Sequence, residues 1–133
     1  MKSIIISYLL TFVVFIIIDM LWLGVIAKNL YQKYLGEFLT DNVNWTAAII
    51  FYLIYVVGIS IFAIYPSVNK DSVYNAILMG ALFGIFTYAT YDLTNLATLK
   101  GWPLPIVFID IIWGAVLSAT VSLSGFYIVK WIN

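Results

Sequence analysis

Four stretches of this chain, Ile4 to Ile26, Trp45 to Tyr65, Val73 to Leu99 and Leu104 to Trp131, are as long and as apolar as a helix must be to cross a bilayer. The hydrocarbon layer is about 30 Å thick and a helix rises about 1.5 Å per residue, so roughly 20 residues suffice. The 133 residues are 65% hydrophobic, with a mean hydropathy of +1.09. A soluble domain of this length cannot hide that much apolar surface. The expected fold is therefore all-α integral membrane: one transmembrane domain of four helices over residues 1–133. The first stretch differs from a signal peptide in its length, in holding Asp19 and in lacking a small-residue cleavage site. Pro66 is expected to end the second span, Asn69 to Ser72 to form a short loop, and Gly101 with Pro103 to separate the third span from the fourth. Links this short make the last three helices antiparallel neighbours.

Between the first two spans, Lys28 to Asn42 has mixed polarity, and Leu30, Tyr31, Tyr34, Leu35 and Phe38 recur at helical spacing. This predicts a short amphipathic helix lying on the membrane surface, with Lys33 and Glu37 paired one turn apart on its wet side. Asn44-Trp45-Thr46 matches a glycosylation sequon but sits at the membrane edge, where Asn44 reads as a helix cap. Gly80 and Gly84, and Gly114, Ser118 and Ser122, repeat every fourth residue as helix-packing faces, suited to a compact bundle or to a homodimer.

Only 9% of residues are charged, and six lysines balance six acids, which excludes a nucleic-acid surface. There is no cysteine or histidine, so disulfides, thiolate nucleophiles, imidazole bases and the common zinc sites are excluded. No cofactor is expected. A metal, if held, would be a divalent cation on oxygen ligands.

Within this apolar background Asp19, Asp92 and Asp110 stand out, because a carboxylate at depth costs several kcal/mol unless it is protonated, paired or hydrated. Asp19 and Asp92 lie about seven residues before the ends of their spans and Asp110 about six after the start of its own, so all three sit roughly 10 Å below one membrane face. Tyr88 and Asn95 flank Asp92 at helical offsets, and Thr87, Tyr91, Thr94 and Thr98 extend a polar stripe along the third span. Trp22 follows Asp19 by three residues and Trp113 follows Asp110 by three, an Asp-x-x-Trp repeat that puts each indole on its aspartate's face. With no arginine or histidine anywhere and no lysine inside the spans except Lys130 at the far end of the fourth, only Lys28 and Lys100 border this face. The acids could share protons, hold a divalent cation at Asp19, Asp92 and Asp110, bind an organic amine between charge and aromatic rings, carry protons in a transporter, or only join helices. Trp45, Trp102, Trp131, Tyr65 and Tyr74 near the span ends read as headgroup anchors. Tyr8, Tyr52, Tyr55 and Tyr127 read mostly as packing residues.

The run from Tyr88 to Pro103, YATYDLTNLATLKGWP, resembles the hallmark of a bacterial membrane family catalogued as domain of unknown function 2177. Asp19 to Gly24, Phe51 to Tyr55 and Asp110 to Gly114 are similar to it as well. The resemblance implies a multi-pass protein of the bacterial inner membrane and brings no reaction, substrate or cofactor with it. Lysines on the two sides are tied, and both termini are expected to be cytoplasmic.

The leading functional expectation is a binding or transport module, responsive to protons or cations, with a site at Asp19, Asp92, Asp110, Trp22, Trp113, Tyr88, Tyr91 and Asn95. Its partners would be the lipid bilayer, a cationic or amphiphilic small molecule and a second copy of the chain. Two alternatives stand beside it: a membrane enzyme acting on a lipid, with carboxyls as base and clamp, and an accessory subunit whose acids specify helix contacts.

Overall fold

A computed structural model describes residues 2–133. Four helices are long and apolar enough to span a membrane: α1 (Lys2–Ile26), α3 (Trp45–Asn69), α4 (Val73–Thr98) and α5 (Leu104–Ile132). A short α2 (Lys28–Leu35) follows α1. Among the described residues there is no strand. The molecule is an integral membrane protein of four transmembrane helices.

The expected span limits hold to within a few residues, with one correction at Pro66. The second span does not end at Tyr65 but runs on to Asn69, through a π-helical turn over Ser60–Ile64. Proline removes a backbone donor and crowds the carbonyl four residues earlier. The wider turn immediately before Pro66 takes up that misfit without breaking the helix. The reading of Lys28 to Asn42 as one helix is also shortened, since helical structure stops at Leu35 and Gly36 begins a turn. Glu37 therefore lies outside the helix and makes no ion pair with Lys33; among the described residues the ion pair present is Lys130–Asp71, at the other end of the bundle. Asn44 does cap α3, its side chain accepting from the Ala47 amide at 3.1 Å.

α5 is the central element, packed against α4, α1 and the second half of α3. The two small-residue faces meet each other inside one chain. A Cβ placed on Gly80 would lie 2.6 Å from that of Ser122, and one placed on Gly84 would collide with the Gly114 carbonyl. Ser122 donates to the Ala76 carbonyl at 2.7 Å across the same contact. This is the close backbone approach that small residues allow between membrane helices. On α1 the buried residues Ser7, Thr11, Phe15 and Asp19 form one stripe, while Ile5, Leu9, Val13 and Ile17 are exposed in the direction of lipid. Ser7 and Thr11 turn their hydroxyls back onto carbonyls four residues earlier, so the stripe is satisfied within its own helix. Phe15, Tyr55, Val56, Ile59, Leu117 and Val121 make the core between these helices.

The close approach generates a prediction. Gly84→Ala should lower stability in detergent by about 1–3 kcal/mol, the usual range for overpacking a tight contact. Gly24→Ala, where an added methyl meets nothing within 4 Å, should be tolerated. Denaturant titration followed by circular dichroism compares the two.

Candidate functional site

At one end of the bundle, α1, α3, α4 and α5 enclose a cavity of about 630 Å³ with α2 lying across its mouth. Its wall carries two carboxyls, Asp19 and Asp110, among the rings of Trp22, Tyr31, Tyr52 and Trp113, with Tyr55, Tyr88 and Tyr91 on the α3 and α4 sides. Such a volume suits a small organic ligand.

Each carboxyl has a distinct setting. Asp19 is buried on α1 and accepts from the Tyr52 hydroxyl of α3 at 2.9 Å. Directly after Asp19 the helix widens into a π turn, Trp22–Ile26, closed by the Ala27 amide on the Trp22 carbonyl at 2.8 Å. From this turn Trp22 stacks on Trp113 of α5, ring centroids 4.2 Å apart and planes within 8°. The two members of the Asp-x-x-Trp repeat thus meet through their indoles.

Asp110 accepts from the Tyr31 hydroxyl, and that oxygen in turn accepts from the Trp22 indole N–H at 3.0 Å. α2 is therefore tied to the membrane-embedded acid by a hydrogen bond. Leu35 supports the attachment from below, packing with Trp102, Ile106 and Val107 at the start of α5. Burial pushes the Tyr31 phenol well above its ordinary pKa, and the Asp110 carboxylate adds to this, so the group keeps its proton and donates.

Asp92 lies behind the cavity wall, fully buried, with the Asp110 carboxyl beside it. The Trp102 indole N–H reaches one of its oxygens at 3.4 Å, while the other, Oδ2, has no donor. The Trp113 indole N–H is likewise buried with no acceptor at hydrogen-bonding geometry, although the Asp19 carboxyl lies beside it.

Among the residues expected from the sequence, Asp19, Asp110, Trp22, Trp113, Tyr88 and Tyr91 line the cavity, Asp92 adjoins it through Asp110, and Asn95 stands outside. The expected polar stripe reaches the cavity at Thr87 and Tyr91. Thr94 and Thr98 are exposed, their hydroxyls bonded to carbonyls of their own helix, which lets threonine face lipid. Trp102 is corrected from headgroup anchor to buried partner of Asp92, 8% exposed, whereas Trp45 and Trp131 are 58% and 81% exposed as anchors should be. Lys28 lines the cavity at its rim; Lys100 does not. Among the described residues no three Asp, Glu, His or Cys stand close enough to hold a metal ion.

Tyr31, Tyr52 and Tyr55 line the cavity although their sequence context reads as packing. Tyr31 was hidden in the apolar face of an amphipathic helix. Tyr52 and Tyr55 sat in an otherwise apolar span, although a tyrosine at membrane depth needs a partner for its hydroxyl, and that is the signal that marks them. Tyr55 spends its hydroxyl on Ser118 and Thr87.

The family described as predicted membrane protein, domain of unknown function 2177, matches residues 4–127. No curated protein and no solved structure matches the chain.

Removing the Tyr31 hydroxyl should free α2. Tyr31→Phe leaves an acceptor on Asp110 and a donor on Trp22 unpaired, a local cost of about 1–3 kcal/mol. Amide hydrogen exchange across Lys28–Leu35 should accelerate accordingly, while exchange in α4 and α5 stays as it was. Tyr34→Phe, on the same helix, is the control expected to change neither.

Proposed function

We propose, for a chain that belongs to the domain of unknown function 2177 family of membrane proteins, that it is a bilayer-embedded binding module which takes an organic cation into the cavity in exchange for a proton. The observation that carries this reading is the placement of two carboxyls from different helices, Asp19 and Asp110, among indole and phenol rings in a cavity of ligand size. An ammonium group gains there from carboxylate charge and from ring faces together, and both gains are larger where water is excluded.

The proton follows from Asp92. Two buried carboxyl groups standing side by side are held at least cost when they share one proton, and Asp92 Oδ2, which meets no side-chain donor, is where that proton would sit. Tyr31 and Trp102 occupy the outer edges of the pair as donors. Tyr52 and Tyr55 on α3, Tyr88 and Tyr91 on α4, Asp19 on α1 and Lys28 at the rim are the remaining titratable groups of the cavity. When an ammonium settles against Asp110, its charge takes over the stabilising role of the shared proton, which leaves. One positive charge enters and one departs, so the buried site keeps its net charge. Asp110 touches the ligand in this scheme, and Asp92 is a positioning residue that sets the proton. Coupling of this kind is what a cation–proton exchanger requires, which favours a transport role over a purely structural one.

We also place the chain in the bacterial inner membrane with both termini cytoplasmic, which opens the cavity toward the outer side. Lys2, Lys70 and Lys130 on the inner side support this and Lys28, Lys33 and Lys100 weigh equally against it, so family resemblance carries the location.

Titration calorimetry of the reconstituted protein with an alkylamine, in buffers of different ionisation enthalpy, tests the exchange. We expect about one proton released per amine bound, and an affinity that rises with pH by up to about tenfold per unit, since the proton competes with the amine. Asp92→Asn should keep amine binding and flatten the pH dependence; Asp110→Asn should remove most of the binding. Saturable binding to the wild type with no proton released rejects the exchange, and no binding at all rejects the module.

A further inference from the structure

The cavity has two kinds of opening. Leu23, Lys28, Gln32 and Leu39, all exposed, mark a mouth at the membrane interface around α2. Phe51 and Tyr91 also line the cavity and are 47% and 54% exposed. Phe51 stands six residues into α3 and Tyr91 seven before the end of α4, which puts both rings about 9–10 Å below the interface. That is the depth of Asp19 and Asp110. Exposure at that level is exposure to hydrocarbon.

The helix packing produces this side opening. α4 meets α3 mainly through the π turn Ser60–Ile64 and the Tyr65–Asn69 segment beyond it, and within Trp45–Ile59 it touches α3 at Tyr55 and Gly58. In the first two turns of α3 only Ala48 is partly buried, and its fully buried residues begin at Tyr52. Lower down the two helices close over Gly58, where an added Cβ would lie 2.8 Å from the Phe83 ring. Tyr55 spans the floor of the gap, its ring edge-on to Phe83 at 5.1 Å and its hydroxyl on Thr87. The upper part of the α3–α4 seam is left as a slot, apolar along its sides and ending at the carboxyls.

We propose that the ligand is a single-chain cationic amphiphile that enters sideways from the bilayer through the slot between α3 and α4, placing its ammonium head at Asp19 and Asp110 and its chain between Phe51 and Tyr91. The proposal rests on the cation-binding reading above and names the ligand class for that site. Charge complementarity selects the head, because the groups at the closed end are carboxyls. The apolar sides select the chain, because a slot of that depth open to hydrocarbon is filled by a lipid-like tail at no dehydration cost. A wholly water-soluble amine would leave the slot between Phe51 and Tyr91 unfilled.

The chain lacks cysteine, so Phe51→Cys supplies a unique attachment point in the slot. The protein in lipid nanodiscs is titrated with dodecylamine and with butylamine, and binding is read from Trp22 and Trp113 fluorescence as the component that Asp110→Asn removes. Dodecylamine is expected to bind at least about 100-fold more tightly than butylamine, since each methylene kept out of water adds to affinity. Unlabelled Phe51→Cys, which removes one of the two rings beside the chain, should bind dodecylamine somewhat less tightly than the wild type and is the reference for the labelled protein. After reaction with a bulky apolar maleimide its affinity should fall by about tenfold or more, the loss of roughly one well-packed contact, and dodecylamine bound beforehand should slow the labelling. Butylamine binding as tightly as dodecylamine, or dodecylamine binding unchanged in the labelled protein, overturns lateral entry while leaving the pocket and its proton exchange standing. Wild-type protein that binds neither amine overturns both.

Discussion

The contact between α4 and α5 fixes everything that happens at the opposite end of the bundle. These helices are antiparallel and pressed together by glycine and serine, with Ala76 against Ser122, Gly80 against Ser118 and Gly84 against Gly114. Each turn up α4 is matched by a turn down α5. Beyond them the Tyr88 ring lies on Gly114, and Asp92, two turns past Gly84, has its carboxyl beside that of Asp110, one turn past Gly114. Backbones held this close leave little freedom in register, so the two carboxyls meet as a consequence of packing several turns away. A bulkier residue at Gly84 would act on the acid pair without touching it.

A second consequence concerns α2. Soluble amphipathic helices at a membrane surface are held by lipid and by their own apolar face. Here Leu35 is seated on Trp102, Ile106 and Val107, and Tyr31 reaches Asp110. The short turn at Gly101, where φ is +73° as glycine permits, folds Trp102 back onto Asp92, so the α4–α5 link and α2 converge on one pair of carboxyls from opposite sides. Surface helix, loop and buried acids form a single network running from Trp22 through Tyr31, Asp110 and Asp92 to Trp102. A change in the charge on Asp110 is therefore felt directly by the element that covers the cavity.

The spans and the level of the three aspartates were legible because both depend on one number, the rise of a helix per residue. Asp19, seven residues from its helix end, could be put at the depth of Asp110 by counting. What counting does not supply is rotation between helices. Asn95 shares a helical offset with Asp92 yet stands outside the cavity, and Thr94 and Thr98 face outward because a threonine can spend its hydroxyl on its own backbone. Trp102 was read from its place at a span end, a rule about depth, when its position past a glycine turn decided its burial. Pro66 was read as a stop because the general rule concerns regular helix, and the π turn over Ser60–Ile64 has no signature in sequence. The faces of α2 and α3 were the hardest to judge, since a tyrosine counts as apolar in a helical pattern and as polar in a site.

That double character of tyrosine bears on whether the acids serve only to join helices. A carboxyl placed for assembly is served best by donors on every oxygen, because each unpaired atom weakens the contact it is meant to secure. Asp19 follows that pattern at one oxygen with Tyr52. Asp92 does not: several tyrosines stand within the same layer, yet none donates to Oδ2, and the Trp113 indole is buried with its N–H unused. Tyr55 uses its hydroxyl on Ser118 and Thr87 instead. An indole N–H without an acceptor and a carboxyl oxygen that no side chain serves are costly as structural cement, which supports the binding reading over the purely structural one. In the proposed reading packing supplies the stability and the carboxyls keep the capacity to bind.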